Sequence, residues 1–208
     1  EILKNDPKEL ILIEKDNYFL DLLKKKYTEN IKFINDDILN ISENKLSNNK
    51  LTVFGNLPYN ISTEILIKWI LNLNSNLWFD KLILLFQKEV ADRIISNSNT
   101  SNYGRLSIIS NWRLNVKKII DVKPSSFKPK PKVKSTLLLF TPKIKFFKLK
   151  NPESIESITR IFFNQKRKKI KKPLNKLFKN SDEIVKKLNI NLNLRPQNLD
   201  FQTYYMLA

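Results

Sequence analysis

The sequence predicts an α/β fold with a mostly parallel sheet, followed by a small all-α region at the C-terminal end. Between residues 9 and 140, short apolar runs of strand length alternate with segments of helical periodicity, which is typical of βαβ units. After Pro142 the periodic segments are all helical. A hydrophobic content of 41%, with 11% aromatic residues, indicates a chain that buries a core.

The predicted strands are short runs rich in Ile, Leu, Val and Phe that lie between polar or turn-forming residues. In chain order they occupy 9–14, 31–34, 51–54, 82–86, 116–122 and 136–140. The last two strands are separated by the proline-rich segment P-S-S-F-K-P-K-P-K-V.

The predicted helices have apolar residues at three- and four-residue spacing. They occupy 18–27, 62–73, 88–95, 107–114 and 155–163. For the second of them, Asn60 or Ser62 is available as the N-cap. Because only helical segments follow residue 142, we predict a catalytic domain over 1–146 and a helical, basic domain over 147–208.

Positive charge is concentrated in one block of the chain. The sequence has 38 basic and 20 acidic residues, a net charge of +18. Residues 117–179 hold 20 basic and 3 acidic residues, whereas residues 1–116 are nearly neutral, with 15 and 14. This block predicts an electropositive surface for a polyanion. An anionic membrane is less favoured, since these lysines lie among strand and turn residues.

Two residue types that are common in catalysis are absent. The chain has no cysteine and no histidine, which excludes a disulfide framework, a thiolate metal site and catalysis by imidazole. With only Gly55 and Gly104 as glycines, the sequence contains no glycine-rich phosphate loop. No apolar stretch approaches the length of a membrane span.

Polar side chains stand at the ends of three consecutive predicted strands. Glu14, Asp37 and Asn56 each follow an apolar run. In open parallel sheets ligands bind at this carboxyl edge, where an acid commonly accepts hydrogen bonds from ribose hydroxyls. Strand-end carboxylates also form turns and helix caps, so Asp16 and Asp36 remain alternatives to their neighbours.

The third strand ends in the turn Gly55-Asn56-Leu57-Pro58-Tyr59. The Asn56 side-chain oxygen and the Leu57 carbonyl can accept the two hydrogens of an exocyclic amine, which favours a pyramidal nitrogen. Pro58 stiffens the turn, Tyr59 offers a ring for base stacking, and Gly55 lets the backbone approach closely. Such a site needs no histidine if the electrophile is already activated, as a sulfonium methyl is. An ordinary turn is the alternative interpretation.

Several segments together resemble the KsgA-type ribosomal RNA adenine-N6 dimethyltransferases. V-F-G-N-L-P-Y-N-I-S-T resembles the family's motif IV, and L-F-Q-K-E-V-A-D-R-I resembles the block after the next strand. Y-G-R-L-S (103–107) follows at the family's spacing. P-S-S-F-K-P-K-P-K-V-K-S (124–135) resembles its F-x-P-x-P-x-V-x-S segment, and F-F-N-Q-K-R-K-K (162–169) resembles the basic start of its helical domain.

The resemblance spans essentially the whole chain, and it implies both a fold and a reaction. The fold is a Rossmann-like class I methyltransferase sheet with a late antiparallel strand. The reaction transfers methyl groups from S-adenosylmethionine to N6 of two adjacent adenines in a hairpin loop near the 3′ end of small-subunit rRNA. An unpaired loop base is cheap to flip into a site.

The resemblance also implies residue roles. Glu14 would bind the ribose hydroxyls of S-adenosylmethionine, and Asp37 would contact its adenine amine. Asn56, with the cofactor on its other side, would hold the target adenine together with Leu57, Pro58 and Tyr59, and Phe127 would stack on the flipped base. We assign RNA contacts to basic residues of the charged block, namely Lys128, Lys130, Lys132, Lys166, Arg167, Lys168 and Lys169.

The implied partner is small-subunit rRNA or a pre-30S-like ribosomal particle, with no membrane and no metal. We expect a monomer that acts in the cytoplasm or, alternatively, in a mitochondrion or plastid. The family's glycine-rich motif I lies upstream of a strand like 9–14, so we expect this chain to lack the N-terminal part of its catalytic domain.

Two alternatives stay open. Erm-type methylases modify an adenine of large-subunit rRNA with a similar motif IV, although Q-K-E-V-A-D-R-I and Y-G-R-L-S favour the small-subunit group. A non-catalytic RNA-binding or organelle transcription-accessory relative is the other alternative, and the intact Asn56 and Tyr59 argue against it.

Overall fold

The computed structural model describes residues 2–27, 31–73 and 77–208. The chain divides into two compact units, residues 1–50 and 51–208, and each unit has its own sheet.

The first unit is built on two parallel strands with a helix between them in the chain. β1 (Leu10–Ile13) pairs in register with β2 (Ile31–Ile34), and α1 (Asn17–Lys26) lies between them in sequence. Leu20 is the buried residue of α1. The two predicted strands and the helix are therefore present where the apolar patterns place them.

The second unit contains a four-stranded sheet and seven α-helices among the described residues. Its elements are β3 (Leu51–Gly55), α2 (Ser62–Leu71), β4 (Phe79–Gln87), α3 (Lys88–Ile94), α4 (Arg105–Arg113), β5 (Leu114–Val122), β6 (Ser135–Pro142), α5 (Glu153–Asn164), α6 (Lys171–Leu177), α7 (Ser181–Lys187) and α8 (Phe201–Leu207).

The strand order of this sheet is β3–β4–β6–β5. β3 and β4 are parallel, whereas β6 runs antiparallel to both of its neighbours, β4 and β5. Three strands therefore point the same way and one late strand is reversed between them. The predicted mostly parallel sheet with a late antiparallel strand is confirmed.

Burial along the strands follows their place in the sheet. In β4, which has a strand on each side, Leu82, Leu84 and Phe86 are fully buried. In β5, which has one neighbour, most residues are exposed and include Lys117 and Lys118. Charged side chains on such an edge discourage pairing with another chain.

The prediction of a side-chain cap for α2 is wrong. The N-cap position is Ile61, and neither Asn60 nor Ser62 caps the helix through its side chain. Instead, the Ile61 N–H donates to the Pro58 carbonyl at 3.1 Å, and the Ser62 hydroxyl donates to the Tyr59 carbonyl at 3.1 Å. The turn that follows β3 thus leads directly into the helix.

The C-terminal helices pack within the second unit. α5 and α8 contact each other, and both contact α4. The predicted domain boundary between residues 146 and 147 falls inside this unit, and that division stays a prediction. Among the described residues, no helix combines the length and the apolar character needed to cross a bilayer.

Candidate active site and RNA-binding surface

In the first unit, the carboxyl ends of β1 and β2 are linked by polar contacts. The Asn35 side-chain amide donates to the carbonyls of Glu14, at 3.0 Å, and of Lys15, at 3.2 Å. One carboxylate oxygen of Glu14 accepts the Asp16 N–H at 2.8 Å. The other oxygen has no hydrogen-bond partner among the described residues, so it remains available to a ligand hydroxyl.

The Asp37 carboxylate lies at the same edge and is held in place by the protein. It accepts the Leu39 N–H at 3.0 Å and the Lys15 ammonium at 2.9 Å. This hydrogen bond to Asp37 raises the pKa of Lys15. The two alternative acids have local roles, since Asp16 caps the first N–H groups of α1 and Asp36 accepts the Asp37 N–H.

In the second unit, the turn after β3 presents two free hydrogen-bond acceptors. Asn56 is exposed, and neither its side-chain amide nor the Leu57 carbonyl has a hydrogen-bond partner among the residues that the structure describes. Gly55 is in close contact with the neighbouring strand, because a Cβ there would lie 2.7 Å from Leu84 Cδ2. Pro58 has no backbone N–H, so it does not compete for acceptors in this turn.

The ring of Tyr59 is anchored by a residue to which the sequence analysis gave no role. The Tyr59 hydroxyl lies 2.6 Å from Ser135 Oγ, and Ser135 is fully buried at the start of β6. Beside it, the Lys88 N–H donates to the Lys134 carbonyl at 2.9 Å. The structure thus joins the motif after β3, the block after β4 and the end of segment 124–135. The position of Ser135 at the end of that segment was the available signal.

The segment between β5 and β6 holds the predicted stacking residue and three of the predicted RNA contacts. Phe127 is half-buried, and Lys128, Lys130 and Lys132 are exposed. The aromatic contacts of the described residues do not pair the ring of Phe127 with that of Tyr59.

The basic run at 166–169 lies between α5 and α6. Lys166 donates to the Ser101 carbonyl, and Lys169 donates to the Asn193 side chain at 2.8 Å. Arg167 and Lys168 are exposed. In the described parts of the chain, no three acidic, histidine or cysteine side chains are grouped so that they could hold a metal ion.

The four-stranded sheet, with the reversed β6 between two strands that run the same way, has the topology of the Rossmann-like methyltransferase class. The structure matches a dimethyladenosine transferase from Plasmodium falciparum with a TM-score of 0.80 and 27% identity, over 96% of this chain and 80% of that chain. It also matches the 23S rRNA methyltransferase ErmE with a TM-score of 0.65 and 19% identity, over the same shares, which shows a common fold alone.

Sequence comparison specifies the family. The chain matches the family of ribosomal RNA adenine dimethylases over residues 1–207. Ribosomal RNA small subunit methyltransferase A of Pelagibacter ubique (strain HTCC1062) is 64% identical over 207 residues, which cover 100% of this chain and 79% of that protein. The protein of the same name from Ehrlichia ruminantium (strain Gardel) is 42% identical over 212 residues, with the same shares covered. The chain therefore belongs to the ribosomal RNA adenine dimethylase family.

Family membership confirms the enzyme class and the cofactor expected from the motifs, an rRNA adenine dimethyltransferase that depends on S-adenosylmethionine. It does not assign individual residues. The roles of Glu14, Asp37, Asn56, Tyr59 and the others stay predictions, and they are argued as proposals from the geometry above.

Proposed function

We propose that this protein methylates N6 of two adjacent adenines in a hairpin loop near the 3′ end of small-subunit rRNA, within a pre-30S-like particle. Relatives that are 64% and 42% identical and cover the whole chain are named as small-subunit rRNA methyltransferases, which supports this subunit. The likeness to the large-subunit enzyme ErmE extends to the fold only.

The observation that carries the catalytic assignment is the pair of free acceptors beside an anchored ring. S-adenosylmethionine supplies an electrophilic methyl group on a sulfonium. In the first methylation, the Asn56 side-chain oxygen and the Leu57 carbonyl accept the two N6 hydrogens of the adenine and orient the nitrogen lone pair; in the second, a single N6 hydrogen remains to be accepted. Tyr59 stacks on the base, which contributes roughly 1–3 kcal/mol. Transfer of the methyl group would break its bond to sulfur and form the bond to N6, and the two oxygens would stabilise the positive charge that N6 gains until it releases a proton.

Glu14 and Asp37 have the chemistry that the nucleoside part of the cofactor requires. Ionised carboxylates are acceptors only, with about four lone-pair sites each, so they suit donors such as ribose hydroxyls and an adenine amine. The free Glu14 oxygen supports its proposed role at the ribose. The hydrogen bonds that Asp37 accepts from Lys15 and Leu39 hold its carboxylate in place for the proposed contact with the adenine amine.

The basic surface of the second unit suits the RNA. We propose that Lys128, Lys130, Lys132 and the run at 166–169 contact phosphates, because most of them are exposed and lie in a block with a large excess of positive charge. In this proposal residues 147–208 form the helical RNA-binding part of the protein. Phe127 stacks on the flipped base. The enzyme acts as a monomer in the cytoplasm.

Substitution of Asn56 tests the assignment. We expect Asn56→Ala in the complete protein to lower methylation by at least about 10²-fold, as for the loss of one group that stabilises a transition state. RNA affinity should stay nearly unchanged. Asn60→Ala, at an exposed position four residues away, is the matched control and should retain activity. Mass spectrometry measures the rate at which dimethyladenosine forms. A normal rate for Asn56→Ala would contradict the catalytic assignment.

A further inference from the structure

A cleft of about 1000 Å³ opens beside the catalytic turn in the second unit. It is lined by α2, α3, the residues that lead into α4, and α5. Tyr59 lies on its wall, and so does Lys166 of the basic run. The cleft therefore extends from the ring proposed to hold the target base to a surface proposed to contact RNA phosphates. Its size is at the upper end of the range of about 300–1000 Å³ for ligand sites.

The wall of the cleft combines cations with aromatic rings. Its basic side chains are Lys68, Arg93, Arg105 and Lys166. Tyr59, Tyr103 and Phe163 also line it. A groove that pairs positive charge with aromatic faces is the arrangement that binds single-stranded nucleic acid.

Arg105 is held by an acid of α5 that lines the same cleft. Its guanidinium Nη2 lies 3.2 Å from Glu156 Oε1 of α5, and both side chains are about one-third exposed, at 37% and 34%. The Arg105 Nε is buried and has no hydrogen-bond partner among the described residues. Because Nε is buried, a phosphate would reach Arg105 through its terminal Nη donors on the partly exposed side chain, and two such donors suit a bidentate contact.

We propose that this cleft binds the backbone of the nucleotides that flank the target adenine, and that Arg105 is the phosphate ligand. Glu156 is then the resident counter-ion that the phosphate must displace. The inference rests on the proposed function, because it takes the flanking strand of the same RNA as the ligand. Replacement of Glu156 by an RNA phosphate at Arg105 is favourable because a partly exposed ion pair is weak, whereas an arginine–phosphate pair forms two parallel hydrogen bonds.

This exchange predicts opposite effects for the two partners. We expect Arg105→Gln to weaken binding of a hairpin RNA with two adjacent loop adenines by about tenfold. It should also lower the slope of log K against log salt by about 0.7–0.9. Glu156→Gln removes the competitor, so it should strengthen binding by about threefold and leave the slope unchanged. Arg195→Gln, at an exposed site outside the cleft, is the matched control.

The measurement is RNA affinity of the complete protein at several salt concentrations, with thermal unfolding of each variant in parallel. Opposite changes in affinity support the exchange. If Glu156→Gln weakens binding, or if Arg105→Gln leaves affinity and slope unchanged, the ion pair only joins α4 to α5 and the proposal is overturned. All of these variants keep Asn56. If the catalytic assignment is wrong, the methylation rate of Asn56→Ala reveals it, whereas the RNA affinities measured here do not depend on it.

Discussion

At the residue scale, the contact that explains most about the site is the one between Tyr59 and Ser135. The two hydroxyls are 2.6 Å apart, and Ser135 is fully buried where β6 begins. A stacking ring must be held in one orientation to place a base accurately, and a buried partner provides that. We infer that Ser135 is a positioning residue that acts through Tyr59.

This role can be measured with a double-mutant cycle. Ser135→Ala and Tyr59→Phe each remove the same hydrogen bond, with a net value of about 0.5–1.5 kcal/mol, so each should lower kcat by about two- to tenfold. The double variant should lose no more than either single one. Ser125→Ala, at an exposed position of the same segment, is the control. Losses that simply add would show that the hydroxyls act separately.

At the scale of elements, Gly55 controls how β3 packs on β4. A Cβ at Gly55 would lie 2.7 Å from Leu84 Cδ2 and 3.2 Å from Leu57 Cδ2. We expect Gly55→Ala to lower the free energy of unfolding by roughly 1–3 kcal/mol through overpacking. Gly104→Ala is the matched control, because the nearest atoms to its Cβ are 3.8 Å away, in Phe163.

Chemical denaturation of the two variants checks this prediction. Gly104→Ala should change the free energy of unfolding by less than about 0.5 kcal/mol. Equal stability of Gly55→Ala and the natural protein would mean that Leu84 moves aside without cost, and that the glycine is not needed for packing.

The turn between α5 and α6 carries the second prediction at this scale. Neutralising Lys166, Arg167, Lys168 and Lys169 together to Gln should weaken RNA binding and flatten its salt dependence, since each lost phosphate contact lowers the slope by about 0.7–0.9. The same change at Lys24, Lys25 and Lys26, exposed at the end of α1, is the control. A salt slope that does not change would mean that the run is only a solvated face.

The order of elements was predictable from sequence, and their detailed packing was not. The spacing of apolar residues marks a buried strand such as β4 wherever it lies in the chain. The predicted bounds of the strands and main helices therefore lie within a few residues of the observed ones. The place of β6 between β4 and β5 depends on long-range pairing, which no local pattern encodes. The predicted side-chain cap of α2 is absent for a related reason, because Ile61 occupies the N-cap position and the Ser62 hydroxyl donates to the Tyr59 carbonyl.

In the candidate site, too, the sequence predicts some residues, while others depend on long-range contacts. The catalytic turn and the strand-end acids were identified because their residue types and spacing are chemically specific. Ser135 and the pair of Arg105 and Glu156 were not assigned, since their roles depend on partners that lie 76 and 51 residues away in the chain. Only the folded structure brings such partners together.

At the scale of the whole molecule, a cluster of buried tyrosines links α4 with the C-terminal helices. Burial raises the pKa of Tyr103, Tyr204 and Tyr205. The unfolded chain ionises these hydroxyls near pH ~10, whereas the folded chain keeps them protonated. Stability is therefore fully present below that pH and falls as pH rises above it.

Tyr103 and Tyr204 provide a test of this alkaline loss. The Tyr103 hydroxyl is buried without a partner among the described residues, so Tyr103→Phe should be no less stable at pH ~7 and should lose less stability above pH ~10. The Tyr204 hydroxyl donates to the Pro196 carbonyl at 2.7 Å, so Tyr204→Phe should cost about 1 kcal/mol at neutral pH. Denaturation at several pH values measures both, and identical pH profiles for Tyr103→Phe and the natural protein would contradict the account.

The central claim is that the whole protein dimethylates adenine in small-subunit rRNA through the turn at Asn56. The most direct measurement maps N6-dimethyladenosine by mass spectrometry in the rRNA of cells with the gene, without it, and with the Asn56→Ala form. We predict two adjacent dimethylated adenines near the 3′ end of small-subunit rRNA that disappear in the second and third cases. The same modification in cells that lack the gene, or its presence in large-subunit rRNA alone, would contradict the claim.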